Sequence, residues 1–256
     1  MEQLYSETDS LPKDFSDVKA LVFDLMGTCV DWHTSVLLAM MQLPPPSPLS
    51  DDDLPSLAMD WRRGFFQAIT SSFQKGEESP DIDLVHAQVL DELLVDRGIA
   101  SDIWTAEHRK VLVQSWHKQL AWRDSLDGLR RLKRKFPVVV LANGTTRLQL
   151  DIVRSSGLQF DALFSSQLLQ TTKPNPDMYH KCLNLLDLEP HQTAMVAAHA
   201  YDLRAAAKLG MKTIYIRRVT EDPDEDMAKV KSDVDLFIAD ADERRGLSKL
   251  ADLWGA

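Results

Sequence analysis

The 256-residue chain contains little cysteine, no long apolar segment and no excess of basic residues. Its two cysteines, Cys29 and Cys182, cannot build a disulfide framework, and they favour a reducing, cytoplasmic compartment. No apolar run approaches the length of a membrane-spanning helix, so we expect no membrane partner. The net charge of −10 argues against a nucleic-acid partner, although an acidic protein can hold an anion where a few basic side chains converge.

The overall composition is ordinary for a globular protein, with 44% apolar and 27% charged residues. The length suits one large domain or a domain with an insertion. The first ten residues are acidic and polar, which predicts a flexible tail over residues 1–15 rather than a signal peptide.

Short β-branched apolar runs alternate with helical patterns along most of the chain. Such runs are typical of the strands of a parallel sheet that is covered on both faces. The segments between them have apolar residues at helical spacing and end at glycine or at basic residues, as helices do. This order predicts an α/β fold with a doubly wound, Rossmann-like parallel sheet. The predicted strands are 18–23, 138–142, 193–198, 212–216 and 235–239, and the predicted helices are 126–136, 145–157 and 201–210.

Residues 33–122 interrupt this alternation, because their patterns are helical and include no convincing strand. The proline-rich stretch at 44–55 is predicted to exclude regular structure. We therefore expect a core made of residues 16–32 and 123–256. Residues 33–122 are expected to be an all-helical cap domain, inserted after the first strand and folded over the sheet.

Polar residues flank the predicted strands at the edge where open parallel sheets bind their ligands. Asp24 follows the first strand, Asn143 follows the second, and His199 and Asp202 follow the third, while Lys173 precedes the third. Each has an ordinary explanation when it is taken alone: a helix cap, a turn, a core histidine or a solvated lysine. As a set from separate segments, they predict one catalytic site.

The segments F-D-L-M-G-T, L-A-N-G, K-P-N-P-D-M-Y and V-A-A-H-A-Y-D resemble the four motifs of the haloacid dehalogenase superfamily. The resemblance extends over nearly the whole chain from about residue 18 and includes the inserted cap. It implies that Asp24 is the nucleophile, that Lys173 is the motif-III lysine and that Asp202 is the motif-IV acid. Gly27 is expected to let the chain turn so that backbone N–H groups face the site.

Most members of that superfamily are magnesium phosphatases. They have a second aspartate two residues after the first, and another acid four residues before the motif-IV aspartate. Met26 and Ala198 occupy these two positions here. A thioether cannot protonate a leaving alcohol, and two missing oxygen sites leave magnesium poorly held. We therefore expect no metal, no other cofactor and no phosphoryl transfer.

The pattern is similar to that of the type II 2-haloacid dehalogenases, which need no metal and have an apolar or aromatic residue at the position of Met26. Their Trp-Arg pair in the first cap helices matches Trp61 and Arg62, and their tyrosine after the lysine matches Tyr179. The resemblance implies that Asp24 attacks the carbon next to a carboxylate and forms an ester, which water then cleaves. The expected substrate is a small carboxylate.

The remaining roles follow from the same resemblance. Arg62 is expected to bind the departing halide or the substrate carboxylate through its planar guanidinium. Lys173 should keep Asp24 ionised, and Asp202 should orient Lys173 or the water. Asn143 and nearby backbone N–H groups should hold the substrate carboxylate or the ester oxyanion. The expected substrate-binding residues are Met26, Thr28, Asn143 and Tyr179.

His199 departs from the dehalogenase motif, which has asparagine there, and Ala142 and Ala197 replace serines. A related group with histidine at this place resembles the cis-epoxysuccinate hydrolases, which direct the same aspartate at an oxirane carbon. His199 would then protonate the alkoxide or activate the water, with Asp202 as its partner.

Three hypotheses therefore remain open. A haloacid dehalogenase is expected first, and an epoxide hydrolase is the alternative. A catalytically silent member that binds a small carboxylate or a partner protein is the third, and the intact set of Asp24, Lys173 and Asp202 counts against it. Exposed apolar cap helices would suit a homodimer.

Overall fold

The computed structural model describes residues 10–44, 46–74, 81–100, 102–239 and 245–256, without the side chains of residues 70 and 72–74. The chain divides into two compact units. One consists of Met1–Asp31 and Ala121–Ala256, and the other is Trp32–Leu120. Among the described residues, no helix is both long enough and apolar enough to cross a membrane.

The first unit is built on a parallel sheet. Six strands lie in the order β5-β4-β1-β6-β7-β8, and every neighbouring pair is parallel. The carboxyl end of β1 is therefore flanked by those of β4 and β6. The strands of the chain are β1 (Ala20–Phe23), β2 (Val30–Asp31), β3 (Leu120–Ala121), β4 (Val138–Ala142), β5 (Ala162–Ser165), β6 (Thr193–Ala197), β7 (Lys212–Ile216) and β8 (Leu236–Ile238).

Helices cover both faces of this sheet. Successive side chains of a strand point to opposite faces, so Leu21 and Phe23 enter one apolar layer and Val22 enters the other. Helices α5, α6 and α11 contribute to the first layer, and α8, α9 and α10 contribute to the second. The predicted α/β, Rossmann-like fold is confirmed. The helices of the unit are α5 (Ser125–Leu132), α6 (Thr146–Ser156), α7 (Ser166–Leu169), α8 (Pro176–Leu186), α9 (Ala200–Lys208), α10 (Met227–Asp233) and α11 (Gly246–Leu253).

Several elements of this unit were not predicted, among them β5 and α8. β5 lies at the edge of the sheet and is only partly buried, so it lacks the β-branched run that marks a central strand. Helix α8 begins three residues after Lys173. Asn175 caps this helix by accepting the N–H of Asp177, and Pro176 takes the first position, where a missing N–H costs nothing.

The predicted tail over residues 1–15 also needs correction at its end. Residues 1–9 lie outside the described residues, but Lys13–Phe15 form a 3-10 turn. Phe15 is buried and packs edge-on against Trp254, with ring centroids 5.9 Å apart. Because the Phe15 ring packs against Trp254, which directly follows α11, Lys13–Phe15 belong to the packed core. The core therefore begins before residue 16.

The second unit consists of helices around an aromatic core. Trp32, Trp61 and Trp116 are buried, and the imidazole of His86 stacks between the rings of Phe65 and Trp116 at centroid distances of 3.9 and 4.3 Å. The Trp61 indole N–H donates to the His86 carbonyl at 2.9 Å, which ties the second helix to the third. These helices are α1 (Trp32–Met40), α2 (Leu54–Gln74), α3 (Ile82–Asp96) and α4 (Ala106–Ser115).

The proline-rich stretch at 44–55 was expected to exclude regular structure, and that expectation is wrong at its end. Asp51–Asp53 form a 3-10 turn, because the Ser50 N–H and hydroxyl both donate to the Asp53 carboxylate. Helix α2 follows at once, with Pro55 in its first turn, where proline is tolerated.

Candidate active site

Four predicted catalytic residues converge at the carboxyl edge of the sheet in the first unit. Asp24 directly follows β1, and its backbone N–H still bonds to the Val196 carbonyl of β6 at 3.0 Å. His199 lies between β6 and α9, and Asp202 lies in the first turn of α9. Lys173 lies in the segment between α7 and α8. The sheet and its loops thus bring together groups that are far apart in sequence.

Both carboxylate oxygens of Asp24 are engaged. Oδ1 accepts from Nζ of Lys173 at 2.8 Å. Oδ2 accepts from the Thr28 hydroxyl at 2.7 Å and lies 3.1 Å from Nδ1 of His199. The Thr28 hydroxyl in turn accepts the N–H of Ala198 at 2.9 Å. The carboxylate is buried, so these contacts fix its orientation before any substrate binds.

Lys173 joins Asp24 to Asp202. Its Nζ lies 2.8 Å from Oδ1 of Asp24 and 2.5 Å from Oδ2 of Asp202. Asp202 is completely buried, and its Oδ1 accepts from the Tyr179 hydroxyl at 2.6 Å. The Lys173 backbone is held by Asn143, whose Oδ1 accepts the lysine N–H at 2.8 Å and whose Nδ2 donates to the lysine carbonyl at 3.1 Å. The lysine is therefore anchored at both its backbone and its ammonium group.

The charges of this group keep Asp24 ionised. Burial alone would raise the pKa of Asp24, but the Lys173 charge and the hydrogen bond from His199 hold that pKa well below its usual range. Burial alone would lower the pKa of Lys173, whereas the carboxylates of Asp202 and Asp24 raise it well above its usual range. A carboxylate that is already ionised needs no base to become a nucleophile.

His199 lies between two carboxylates. Nδ1 is 3.1 Å from Oδ2 of Asp24, and Nε2 is 2.8 Å from Oε2 of Glu221. Ionised carboxylates only accept hydrogen bonds, so a hydrogen on each ring nitrogen satisfies both contacts. Burial alone would lower the pKa of His199, but the hydrogen bonds to Asp24 and Glu221 raise it to about 10. The ring is therefore an imidazolium at neutral pH.

Gly27 makes room for Glu221. A Cβ atom built at Gly27 would lie 2.4 Å from the Glu221 carboxyl carbon, and the glycine has a φ of 80°. Any side chain at this position would both strain the backbone and displace the carboxylate that faces His199. Gly27 therefore allows the contact between Glu221 and His199, in addition to the expected turn.

Sequence reasoning missed Glu221, although a signal existed. The predicted set came from the first three strands alone, and Glu221 follows β7, the fourth predicted strand, at the same edge of the sheet. Its carboxylate is buried and also accepts from the Thr220 hydroxyl at 2.8 Å. His199 was expected to partner Asp202, but the described contacts of its ring nitrogens are with Asp24 and Glu221.

Arg218 and Asp124, also missed, form a buried ion pair that bonds to the segment after Asp24. The two guanidinium Nη atoms of Arg218 donate to the two Asp124 oxygens at 2.9 and 3.2 Å, and Nε donates to the Thr28 carbonyl at 3.2 Å. Trp122 donates from its indole to the Gly27 carbonyl at 2.8 Å. Side chains from two other segments therefore hold the backbone that follows Asp24.

The four expected substrate-binding residues have different positions. Thr28 and Tyr179 are completely buried, and their hydroxyls donate to Asp24 and Asp202, so they position catalytic groups rather than line an open pocket. The Asn143 amide holds the Lys173 backbone, which leaves only its second N–H for a substrate. Met26 is half-buried and packs against the apolar core.

Arg62 lies on α2 in the second unit. It is buried there among aromatic rings, and its guanidinium carbon is 4.2 Å from the ring centroid of Phe66, 5.3 Å from that of Trp32 and 5.6 Å from that of Trp116. Aromatic faces attract the cation and limit its rotation. The cap unit therefore holds the guanidinium in a defined orientation.

The charged groups next to Asp24 are side chains of the first unit. Among the described residues, no group of three or more histidine, cysteine, aspartate or glutamate side chains has the arrangement of a metal site. Met26 and Ala198 supply no carboxylate where the metal-dependent relatives of the motif have one. The cations that contact Asp24 are the ammonium group of Lys173 and the imidazolium of His199.

Comparisons with known proteins identify relatives of this chain. The chain is 28% identical over 229 residues to (S)-2-haloacid dehalogenase 4A of Burkholderia cepacia, covering 85% of this chain and 90% of that protein. Among solved structures it resembles an L-2-haloacid dehalogenase, at 30% identity and a TM-score of 0.78, over 93% of this chain and 99% of that one. It also resembles a defluorinating L-2-haloacid dehalogenase, at 27% identity and a TM-score of 0.79, over 97% and 100%.

The family model for haloacid dehalogenase-like hydrolases matches residues 18–210. This range contains all four motifs, from Asp24 through Asp202, together with the whole second unit. With a match over most of its length and with the four motifs present in order, the chain belongs to the haloacid dehalogenase-like hydrolases.

Proposed function

We propose that this hydrolase attacks a small carboxylate substrate with Asp24, forms an ester on the enzyme and acts as a 2-haloacid dehalogenase. The observation that carries the proposal is the ionised Asp24 carboxylate, held by Lys173 at the end of the central strand. The names of the relatives supply the substrate class.

In the first step an Asp24 oxygen attacks the carbon that bears the halogen. The new carbon–oxygen bond forms as the carbon–halogen bond breaks, and the halide leaves with the electron pair. The halide needs no proton, so no acid is required at the position of Met26. Asp24 loses its negative charge when the ester forms, and Lys173 remains neutralised by Asp202.

In the second step water attacks the ester carbonyl of Asp24 and the ester C–O bond breaks. One proton of the water goes to a base and the other to the departing alkoxide, so the hydroxy acid leaves and the Asp24 carboxylate is restored. The proposed base for that water is His199. Its pKa is raised by Asp24 and Glu221 together, so the loss of the Asp24 charge on esterification lowers the pKa again. The ring then releases its proton to solvent, becomes a neutral base that Glu221 orients, and takes one proton from the water.

Arg62 is proposed to bind the departing halide or the substrate carboxylate. Its guanidinium is fixed by aromatic rings of the cap unit, and a planar group of fixed orientation is suited to an anion.

A second candidate, epoxide hydrolysis, is favoured by the charge of His199. An opening epoxide leaves an alkoxide on the substrate, which needs one proton. The imidazolium holds one proton beside Asp24 at rest. The neutral ring would then take a proton from the hydrolytic water, so no net proton is gained or lost over one turnover. Halide displacement makes no such use of a resting imidazolium.

The first experiment is an activity screen in metal-free buffer, with and without EDTA, on 2-chloropropionate, fluoroacetate, cis-epoxysuccinate and p-nitrophenyl phosphate. Turnover of a haloacid that survives EDTA is expected. Magnesium-dependent turnover of the phosphate ester as the main activity would overturn the proposal, and preference for the epoxide would favour the second candidate.

The second experiment tests the ester. Asp24→Asn should abolish turnover, while Asp127→Asn, at an exposed aspartate of α5, should leave it intact. A single turnover in ¹⁸O water should place the label in Asp24 and leave the product unlabelled. Solvent oxygen in the product of that first turnover would mean that water attacks the substrate directly.

A further inference from the structure

The segment that holds Glu221 follows β7 and is bound at both ends. At its start, the buried guanidinium of Arg218 bonds to Asp124 and to the Thr28 carbonyl. At its end, Oδ2 of Asp222 accepts the backbone N–H of Ala200 at 2.6 Å. Glu221 lies between these two contacts in sequence.

Two neighbouring contacts join the segment of His199 to the segment of Glu221. His199 and Ala200 are consecutive, and so are Glu221 and Asp222. The His199 ring meets the Glu221 carboxylate at 2.8 Å, while the next backbone N–H meets the Asp222 carboxylate. Two parallel contacts between neighbouring residue pairs fix both the distance and the direction of approach, which one contact cannot do.

Helix α9 needs the carboxylate of Asp222. His199 occupies the N-cap position of this helix, but its side chain makes no capping hydrogen bond because the ring faces Asp24 and Glu221. The N–H groups of a first helical turn need an acceptor, and Asp222 supplies one from another segment. His199 is thereby released from capping and remains available to the site.

Asp222 adopts an uncommon backbone conformation to reach this position. Its φ is 51°, in the left-handed region that residues other than glycine, asparagine and aspartate seldom adopt. The Tyr215 hydroxyl donates to the same Oδ2 at 3.2 Å, so the carboxylate is held from the sheet as well as from the helix. A strained conformation that several contacts maintain is often associated with a functional site.

We propose that Asp222 is a positioning residue of the active site, which holds the Glu221 carboxylate against His199 by bonding to the Ala200 N–H. It acts through Glu221 and touches no reacting atom. The proposal rests on the proposed function in one respect: the effect on turnover requires that His199 take part in the reaction. The effect on the His199 ring itself does not depend on any substrate.

Two variants separate the hydrogen bond from the backbone conformation. Asp222→Asn keeps an oxygen that accepts the Ala200 N–H, and Asp222→Gly removes it. Both residues tolerate a positive φ, so neither adds backbone strain. Asp226→Ala is the matched control, because Asp226 accepts the N–H of Ala228 at 2.9 Å at the start of α10 in the same way, away from the site.

The main measurement is the pKa of His199 by NMR titration, assigned with His199→Asn. The groups that face the ring are Asp24, Glu221, Asp222 and Tyr201, so a direct charge effect of Asp222 has to be separated from its effect on Glu221. A double-mutant cycle with Glu221→Gln does this. If Asp222 acts through Glu221, Asp222→Gly should lower the His199 pKa by roughly one unit in the wild-type background and by little in Glu221→Gln.

Turnover and melting temperature complete the test. Asp222→Gly should lower kcat about tenfold with little change in KM, whereas Asp222→Asn should recover most of the activity and Asp226→Ala should match the wild type. Equal shifts of the His199 pKa with and without Glu221, or no shift at all in Asp222→Gly, would overturn the proposal. A failure of the proposed function would appear differently, as an absence of turnover in the wild type alongside the expected shifts of the ring.

Discussion

Nε2 of His199 lies 2.8 Å from Oε2 of Glu221, and the opposite nitrogen of the same ring faces Asp24. This relationship places one positive ring between two buried carboxylates, next to a second positive group at Lys173. The two cations balance the charge of the Asp24 carboxylate, which is removed from water. They also make this group of residues sensitive to pH, because the pKa of the His199 ring, about 10, lies closer to neutral pH than that of Lys173, which its carboxylate partners raise well above its usual range.

The first prediction concerns stability against pH. An unfolded histidine has a pKa near 6.5, and the folded value is about 10, so the folded protein keeps a proton that the unfolded chain loses. The stabilisation from His199 is fully present below about pH 6.5 and is lost as the pH rises through 10. Between these values the free energy of unfolding should fall by at most about 1.4 kcal/mol per pH unit on this account.

Urea unfolding of the wild type and of His199→Asn at pH 6, 8 and 9.5 measures this slope. The difference in stability between the two proteins should shrink as the pH rises. A difference that stays constant from pH 6 to 9.5 would show that the ring does not carry the proton. His180→Asn, at a histidine on the exposed side of α8, is the control and should leave the slope unchanged.

The second prediction concerns the buried pair of Arg218 and Asp124. Arg218→Met leaves the Asp124 carboxylate buried without its cation, which should destabilise the protein by about 3–5 kcal/mol. Arg218→Met combined with Asp124→Leu removes both charges and should recover part of that loss. Chemical denaturation of the two variants decides this, and equal stability of the single and double variants would contradict it.

The sheet and most of the candidate site could be predicted from the sequence because parallel strands have a strong local signature. The predicted strands 138–142 and 212–216 match β4 and β7 to the residue. The rule that ligands bind beyond the carboxyl ends then brought Asp24, Lys173 and His199 to one edge without any knowledge of the contacts. Periodicity and strand order were sufficient for this level of detail.

Side-chain partners could not be predicted in the same way. Glu221 lies in a segment without regular structure, and its contact with His199 depends on a glycine, an aspartate and an arginine at separate points of the chain. Thr28 and Tyr179 carry hydroxyls that suit substrate binding equally well, and only the structure shows them donating to Asp24 and Asp202. Such contacts depend on angstrom-scale geometry, which residue spacing does not encode.

The third prediction concerns the cap arginine. Arg62→Lys keeps the positive charge but loses the planar guanidinium and its stacking on aromatic rings, so kcat/KM should fall at least tenfold. The neighbouring Arg63 is the matched control, because its side chain is 59% exposed and pairs with Asp60 on the surface. Arg63→Lys should behave as the wild type. Equal kinetics for both variants would remove Arg62 from the proposed mechanism.

The last prediction concerns His199→Asn, which restores the residue that dehalogenases have at this position. If the enzyme opens epoxides, the variant loses both the proton for the alkoxide and the base for the water, and epoxide turnover should fall by roughly a hundredfold or more. If the enzyme displaces halide and the ring serves only to activate water, halide release in the first turnover should persist, while the steady-state rate falls because the ester accumulates. Mass spectrometry of the intact protein would then detect the ester on Asp24. If neither rate changes and only the melting temperature falls, His199 serves stability alone, and both roles proposed for the ring are wrong.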